Sequence, residues 1–447
     1  MSIRSAPLSV AVIGSGIAGL AAAWLLQRRH AVTLYEKDAR LGGHCNTVDV
    51  LDDAGNRLAV DTGFIVYNEI NYPNLVGLFQ HLGVPTQPSD MSFAVSLGAG
   101  RLEYAGTDLS GLFAQPSNLL RPRFWAMLRD IVRFYRAAPA LLAAPAAAGL
   151  SLGRYLAIGG YSRAFTEDHL LPMGAAIWSS TMADMLAYPA HSFVRFFASH
   201  GLLRLAGRPP WRTIAGGSRT YVACLAAALG DGVRPACPVR AIRRLKDAVL
   251  VEEAGGRIAR FDQVVIAAHA DQALGLLADP SAEERELLGR FRYAQNEAVL
   301  HTDAALMPRR RRAWASWNYL GDAGRRDALC VTYWMNRLQG LATRTNVFVT
   351  LNPVRTPRAE SVRATFRYEH PGYDAAAMAA QAKLWSLQGT QRTWYCGAYF
   401  GAGFHEDALQ SGLAVAEALG GVRRPWSVPD ESGRIVLPPP HHAEAAA

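Results

Sequence analysis

Gly14, Gly16 and Gly19 stand in the spacing Gly-x-Gly-x-x-Gly, behind the apolar run Val10–Ile13 and ahead of a helix-forming stretch Leu20–Arg28. This spacing suits the binding of a dinucleotide. The first glycine permits a tight turn, the second lets a pyrophosphate approach the backbone, and the third lets helix and strand pack closely. The helix N-terminus then offers partial positive charge to the phosphates, with Ser15, Ile17 and Ala18 filling the turn. A second strand-like run, Ala31–Tyr35, ends at Glu36, whose carboxylate would accept hydrogen bonds from an adenosine ribose and so disfavours a 2′-phosphate and NADP. The glycine spacing alone is weak, but strand, helix and acid agree with it.

Other chemistries find little support. The five cysteines (Cys45, Cys224, Cys237, Cys330, Cys396) are scattered, odd in number and without a CxxC pair, so neither a disulfide framework nor a zinc site is expected, and a reducing compartment fits. His441 and His442 lie in the tail with no recurring ligand spacing, and no metal is expected. A GxSxG elbow for hydrolase chemistry is missing. Only three of the 46 basic residues are lysines (Lys37, Lys246, Lys383), which limits any chemistry that needs an amine.

The elements that must position these residues follow from pattern and length. With 447 residues, half of them hydrophobic and 19% charged, the chain can build a sizeable core and two domains, and a disordered scaffold is excluded. Strand, turn, helix and strand in succession imply a parallel sheet with right-handed crossovers. A helical, arginine-rich region follows from about Pro85 to Leu205, with its basic groups (Arg121, Arg123, Arg129, Arg133, Arg136) interleaved with apolar side chains. That pattern reads as an amphipathic helix with a basic face, suited to an anionic membrane surface. The net charge of +9 and the run Arg309–Arg312 agree, while no nucleic-acid motif is present, so no nucleic-acid partner is expected.

Val239–Ile242, Ala248–Val251 and Asp262–Ala268 read as short strands of an inserted sheet, and Leu287–Arg363 as further strands with dense aromatics. Beyond Val428 the proline- and alanine-rich tail is expected to be disordered. Val10–Leu26 carries the glycine motif and is read as folded structure, not as a signal peptide. Ala137–Gly153 is uncharged but short and broken by Pro139 and Pro145, so no transmembrane helix is expected.

After Glu36 comes Lys37-Asp38-Ala39-Arg40-Leu41-Gly42-Gly43-His44. The glycine pair would let the chain pass under an extended pyrophosphate that Arg40 can neutralise. With these residues the chain resembles the FAD-dependent amine oxidase and carotenoid desaturase superfamily, whose hallmark is GxGxxG, then Glu, then RxGG. Val60–Ile65, with Gly63, Phe64 and Ile65, is similar to its flavin-lining turn, and Cys396–Gly412, with Gly397, is similar to its C-terminal FAD segment. The resemblance places Val239 at the adenine. It also makes Asp407, Ala408 and Leu409 the start of a helix facing the pyrimidine end of the flavin, where positive potential favours the anionic reduced ring.

The resemblance implies an α/β fold, with a Rossmann-like FAD-binding domain of the amine oxidase/GDP-dissociation-inhibitor type and an inserted α+β substrate domain. The expected boundaries are 8–84, 206–286 and 385–425 for the discontinuous FAD domain, 85–205 and 287–384 for the substrate domain, and 428–447 for the tail.

Asn296–Asp303 with Met307-Pro308, Trp314–Tyr319 and Tyr333–Gln339 further resemble a bacterial subgroup encoded beside cyclopropane-fatty-acid-synthase-type methyltransferases. That subgroup is linked to dehydrogenation of methyl-branched acyl chains towards furan fatty acids. It implies a lipid or other hydrophobic substrate and a lipid methyltransferase in the same pathway. The cysteine usage and the basic amphipathic region point to a cytoplasmic protein, peripheral at the inner face of the membrane. Many amine oxidases of the superfamily hold a lysine near flavin N5, and no lysine stands in Arg292–Asp303, which disfavours amine oxidation.

Removing two hydrogens from adjacent carbons needs a hydride acceptor and a proton acceptor. The catalytic candidates are His301, His405 and Glu406, with His44 as a further base. His301 could equally be an inter-strand histidine bonded to a neighbour, and His44 could simply touch phosphate or flavin. Trp317, Tyr319, Tyr333 and Trp334 are candidates for the wall of an acyl channel, or else plain core. An amine oxidase and a non-catalytic FAD-binding protein are the rival readings.

Overall fold

The computed structural model describes residues 6–143, 149–321 and 329–438. Val10–Ile13 is buried on both faces, the environment of a central parallel strand. Ser9–Ile13 pairs in parallel with Ala31–Tyr35 on one side and Gln263–Ile266 on the other, and Val233–Arg234 and Thr393–Tyr395 complete the five-stranded sheet at its two edges. The sheet is thus assembled from widely separated stretches of chain. The helix Ile17–Leu26 begins inside the glycine motif, three residues before the expected Leu20, and is buried throughout. Its alanine-rich surface packs on the helices Arg219–Leu229 and His405–Leu419. The second contact is close enough that a Cβ on Gly412 would lie 2.2 Å from the Ala18 carbonyl oxygen.

The stretch Asp262–Ala268 differs from its expected place in the inserted sheet. Gln263–Ile266 lies at the centre of the parallel sheet because Val264, Val265 and Ile266 are apolar on both faces. The small antiparallel insertion is instead Val239–Arg244, Val249–Glu253 and Ile258–Phe261.

A seven-stranded sheet forms the second layer, in the order Val362–Gly372, Arg292–His301, Phe348–Leu351, Val331–Trp334, Trp317–Gly321, Phe93–Leu97 and Leu102–Ala105. Its pairings are antiparallel except between Trp317–Gly321 and Phe93–Leu97. Helices between 109 and 199 cover it. Among them Pro122–Ala137 sinks Phe124, Met127, Ile131, Phe134 and Tyr135 into the core, so its apolar face is not free to lie on a bilayer. No helix among the described residues is long and apolar enough to cross a membrane. Of the span Ala137–Gly153, residues 144–148 lie outside the described residues.

The chain beyond 428, expected to be disordered, is ordered against the closing helix as far as 438. Arg434 reaches Asp407, and Arg424, buried, pairs with Glu417. Just before, Trp426 stacks on Trp24 at 6.0 Å. Residues 439–447, with His441 and His442, lie outside the described residues.

Candidate flavin site

The glycine turn has the shape a diphosphate needs. Gly14 (φ +102°) donates its amide to the Tyr35 carbonyl at 2.8 Å, and a Cβ there would lie 2.7 Å from the Ala267 carbonyl oxygen. A Cβ on Gly19 would meet the Gly14 carbonyl oxygen at 1.9 Å. At Gly16, by contrast, a Cβ would find nothing within 4 Å, so open space lies in front of the helix start. The helix Ile17–Leu26 has no side-chain cap and no acid in its first turn, which leaves its leading amides, Ile17 and Ala18 among them, for an anion.

Glu36 is buried beside this turn. Oε2 accepts from the Ser15 amide (2.9 Å) and hydroxyl (2.6 Å), and Oε1 accepts from the Asp38 amide (3.0 Å). Cys237 donates its amide to the Glu36 carbonyl at 2.8 Å, which brings Val239, two residues on, near Glu36. Lys37 points out into solvent. Arg40 donates to the carbonyls of Gly43 and Cys45, both at 2.8 Å, and so holds the Gly42–Gly43–His44 loop against the phosphate turn, where a Cβ on Gly43 would lie 3.2 Å from Gly16 Cα. Gly63 lies so close to this loop that a Cβ would meet the His44 carbonyl oxygen at 2.2 Å, and the Phe64 amide donates to that same oxygen. Ile65 is buried behind them.

The closing helix His405–Leu419 starts two residues before the expected Asp407. Ser411 ties it to Gly397, accepting from the Gly397 amide at 2.9 Å. Ala408 and Leu409 are buried along its inner face. The Asp407 carboxylate accepts from the Phe404 amide (2.7 Å) and from Arg434 Nε (2.6 Å); burial pushes this carboxyl up and Arg434 opposes the shift. Glu406 is equally engaged: it accepts from the Asn74 amide and side chain, the Leu75 amide and Gln410. It caps the uncapped helix Pro73–Leu82, whose start has no side-chain cap of its own. Both oxygens accept hydrogen bonds, three at Oε1 and one at Oε2, and two of the four come from the leading amides of that helix, the role of a cap.

His405 stacks on Phe64 (3.8 Å, 7°), and its Nε2 lies 2.6 Å from Tyr221 Oη and 3.3 Å from Cys45 Sγ. Burial lowers its pKa to about 3, so the ring is neutral, and pushes the Cys45 thiol up to about 12. His301 lies elsewhere, wholly buried in the seven-stranded sheet. Nε2 is 2.7 Å from Thr350 Oγ1 and Nδ1 accepts from the Asp303 amide, the inter-strand arrangement of a core histidine.

Two clusters join residues distant in sequence. His44 faces His370 (5.4 Å), Tyr368 (5.2 Å) and His269 (6.4 Å), whose Nδ1 is 3.3 Å from Glu369. Burial lowers the pKa of all three histidines, most strongly at His44, where the neighbouring histidines add to it. Phe404, at the start of the closing helix, stacks on Phe196 at 4.7 Å, with Trp178 packed against both and His200 stacked on Phe196 at 3.8 Å. The Phe196 carbonyl, 3.0 Å from His200 Nδ1, can only accept, so Nδ1 carries the proton and the buried Nε2 presents a lone pair without a partner among the described residues. Burial lowers its pKa to about 3.

Of the candidate channel residues, Trp317 packs edge-on against Tyr333, on the strand against which the Trp178 helix lies. Tyr319 is buried in that same strand. Trp334 turns away to Trp314 and Phe348. Phe404 stands immediately before the segment His405–Gly412 and was open to notice in the sequence; His200, His269 and His370 carry no local signal.

The turn with open space at Gly16, the uncapped helix and the buried Glu36 fit a dinucleotide, and the Gly42–His44 and Gly63–Ile65 loops extend the cleft towards the closing helix as FAD requires. No curated protein matches this chain. Solved structures match over nearly its whole length. A putrescine oxidase variant is 15% identical, covering 92% of this chain and 98% of its own, with a TM-score of 0.66. The conjugated-linoleic-acid-producing fatty acid isomerase from P. acnes is 15% identical over 92% and 97%, with a TM-score of 0.64. Cyclohexylamine oxidase from Brevibacterium oxydans is 16% identical over 92% and 99%, with a TM-score of 0.65. The family profile described as flavin containing amine oxidoreductase matches residues 17–305. The chain belongs to the flavin containing amine oxidoreductases and is an FAD-dependent oxidoreductase.

Proposed function

We propose that this oxidoreductase dehydrogenates or isomerises a hydrophobic substrate, a methyl-branched or unsaturated phospholipid acyl chain, and that it is not an amine oxidase. FAD, when bound, supplies a hydride acceptor at N5. The observation that carries the reading is the charge balance around Phe404. The two carboxylates next to it, Glu406 and Asp407, are taken up by amides and by Arg434, and Phe404, Phe196 and Trp178 present apolar rings. A protonated amine finds no open counter-charge there, whereas an acyl chain loses nothing on burial. Lys37, Lys246 and Lys383 are all exposed, so no lysine ammonium stands among the buried rings around Phe404.

The second hydrogen leaves as a proton, and a neutral imidazole takes it. His200 has a buried Nε2 without a hydrogen-bond partner among the described residues, and His405 is oriented by Tyr221. The fatty acid isomerase among the similar structures supports the view that this fold accommodates acyl-chain chemistry. A lipid methyltransferase would supply the methyl-branched chain.

Anaerobic mixing of the FAD-loaded protein with methyl-branched phospholipid should bleach the flavin or shift a double bond, and His200→Ala or His405→Ala should slow that step. Peroxide release with amines, and no reaction with lipid, would establish an amine oxidase. A flavin left unreduced by every substrate, with no double bond moved, would indicate a non-catalytic FAD-binding protein.

A further inference from the structure

Four large apolar side chains stand open at one corner of the helical layer: Leu120 is 87% exposed, Leu109 75%, and Leu119 and Trp125 49% each. Tertiary contacts make them one patch. Trp125 Nε1 donates to the Leu119 carbonyl at 2.9 Å, and the Trp125 ring lies 6.0 Å from Phe113, which ends the helix Leu109–Leu112.

Arginines from three stretches of chain surround the patch. Arg121 donates to the Arg101 carbonyl (2.7 Å) and Arg310 to the Gly100 carbonyl (3.0 Å), while the turn Arg311–Ala313 packs on the helix Leu109–Leu112. The run Arg309–Arg312 and Arg121, the residue that leads into the helix Pro122–Ala137, therefore meet at the hairpin around residues 98–101. The nearest carboxylates are Glu103 and the exposed Asp108. Glu103 is buried and takes Arg310 with the amides of Arg309 and Arg310, and Asp108 caps the Gly111 amide. Arg123 pairs with Asp168 and Glu167. Arg101, Arg121, Arg309, Arg311 and Arg312 have no carboxylate partner among the described residues; Arg311 lies over the Trp314 ring at 3.6 Å.

We propose that this corner docks the protein on an anionic lipid bilayer, with Leu109, Leu119, Leu120 and Trp125 entering the boundary between headgroups and acyl chains and the arginines meeting the anionic headgroups. An apolar tip inside a basic rim is complementary to that surface in both respects. A nucleic acid would match the charge but leave the leucines in water. The docking element is a wedge of loops and short helices. The helix Pro122–Ala137 contributes only its polar face, since its apolar face is buried. The docking holds whatever the substrate proves to be.

The test is co-sedimentation of the FAD-loaded protein with phosphatidylcholine vesicles, with and without phosphatidylglycerol. Binding should require phosphatidylglycerol and weaken as salt rises. The Leu109→Ser/Leu120→Ser variant should lose about tenfold or more in partition coefficient. Arg309→Glu/Arg312→Glu should lose the salt-sensitive part. Ile158→Ser/Leu205→Ser, at residues 65% and 70% exposed, should bind like the parent. Unchanged thermal melting of each variant shows that the fold is intact. Equal binding to vesicles lacking phosphatidylglycerol, or full binding by Leu109→Ser/Leu120→Ser, overturns the proposal. Retention on heparin or RNA that matches vesicle binding and ignores the leucine changes identifies a general polyanion site and overturns it equally.

Discussion

Arg434 closes on Asp407, with its Nε 2.6 Å from Oδ1 of a carboxylate wholly buried at the start of the closing helix. It also donates to the Asn71 carbonyl at 2.9 Å, so one guanidinium fastens the segment around residue 434 across the start of the closing helix. Arg434→Met leaves that carboxylate buried and unpaired, a loss of about 3–5 kcal/mol. Burial already raises the Asp407 pKa, and without Arg434 it rises further. A carboxyl raised in the folded state contributes stability that is fully present below its unfolded pKa of about 4 and is lost as pH rises through the folded pKa, so the deficit of the variant should grow as pH rises from about 4 and level off above the folded pKa. Denaturant unfolding across that range, with flavin release followed alongside, measures both effects.

Gly16 and Gly19 should respond differently to the same change. Gly16 faces open space, so Gly16→Ala should fold normally but bind FAD more weakly, because the methyl group occupies the path of the phosphates. Gly19→Ala drives a methyl into the Gly14 carbonyl and should lower stability itself. Melting temperatures of the flavin-free proteins, compared with their FAD affinities, separate the two cases.

Glu406→Gln tests a cap against a catalytic acid. The carboxylate accepts from the amides of Asn74 and Leu75 and from two side chains, so an amide group there sets a donor against donors and should cost about 1–3 kcal/mol. The pH profile of flavin reduction should keep its shape. Loss of one limb of that profile would return Glu406 to the chemistry.

Acid should destabilise the protein early. His169, His200 and His301 are buried, and burial lowers their pKa values to about 3, 3 and 4. Depressed histidines favour the folded state fully above the unfolded value of about 6.5, and that preference drains away as pH falls towards the folded values, since the unfolded chain takes up the protons. Three such groups weaken stability by about 4 kcal/mol per pH unit between roughly 6 and 4. Thermal unfolding should show a steep fall beginning near pH 6, above the carboxylate range.

Short-range pattern made the cofactor site legible. Three glycines, an apolar run on each side and Glu36 act within 30 residues, and turn, helix start and the acid beside the turn are local consequences of backbone geometry. The amphipathic character of Pro122–Ala137 was legible in the same way, but which of its faces meets another surface was not, because periodicity reports that a face is apolar and not what covers it. The segment 262–268 shows the same boundary: Val264, Val265 and Ile266 announce a buried strand, while its place at the centre of the parallel sheet depends on Ser9–Ile13, some 250 residues away.

What the sequence by itself determined is the dinucleotide turn, the acidic partner and an α/β core built on them, since each depends on neighbours along the chain. Only the tertiary structure decided that Glu406 is a cap for a distant helix and that His301 is a core residue. It also brought His200 beside Phe404 and gathered Arg121 and Arg309–Arg312 at one corner. Those roles are set by which groups end up within hydrogen-bond or contact distance once the core has closed, and residue type carries no record of that.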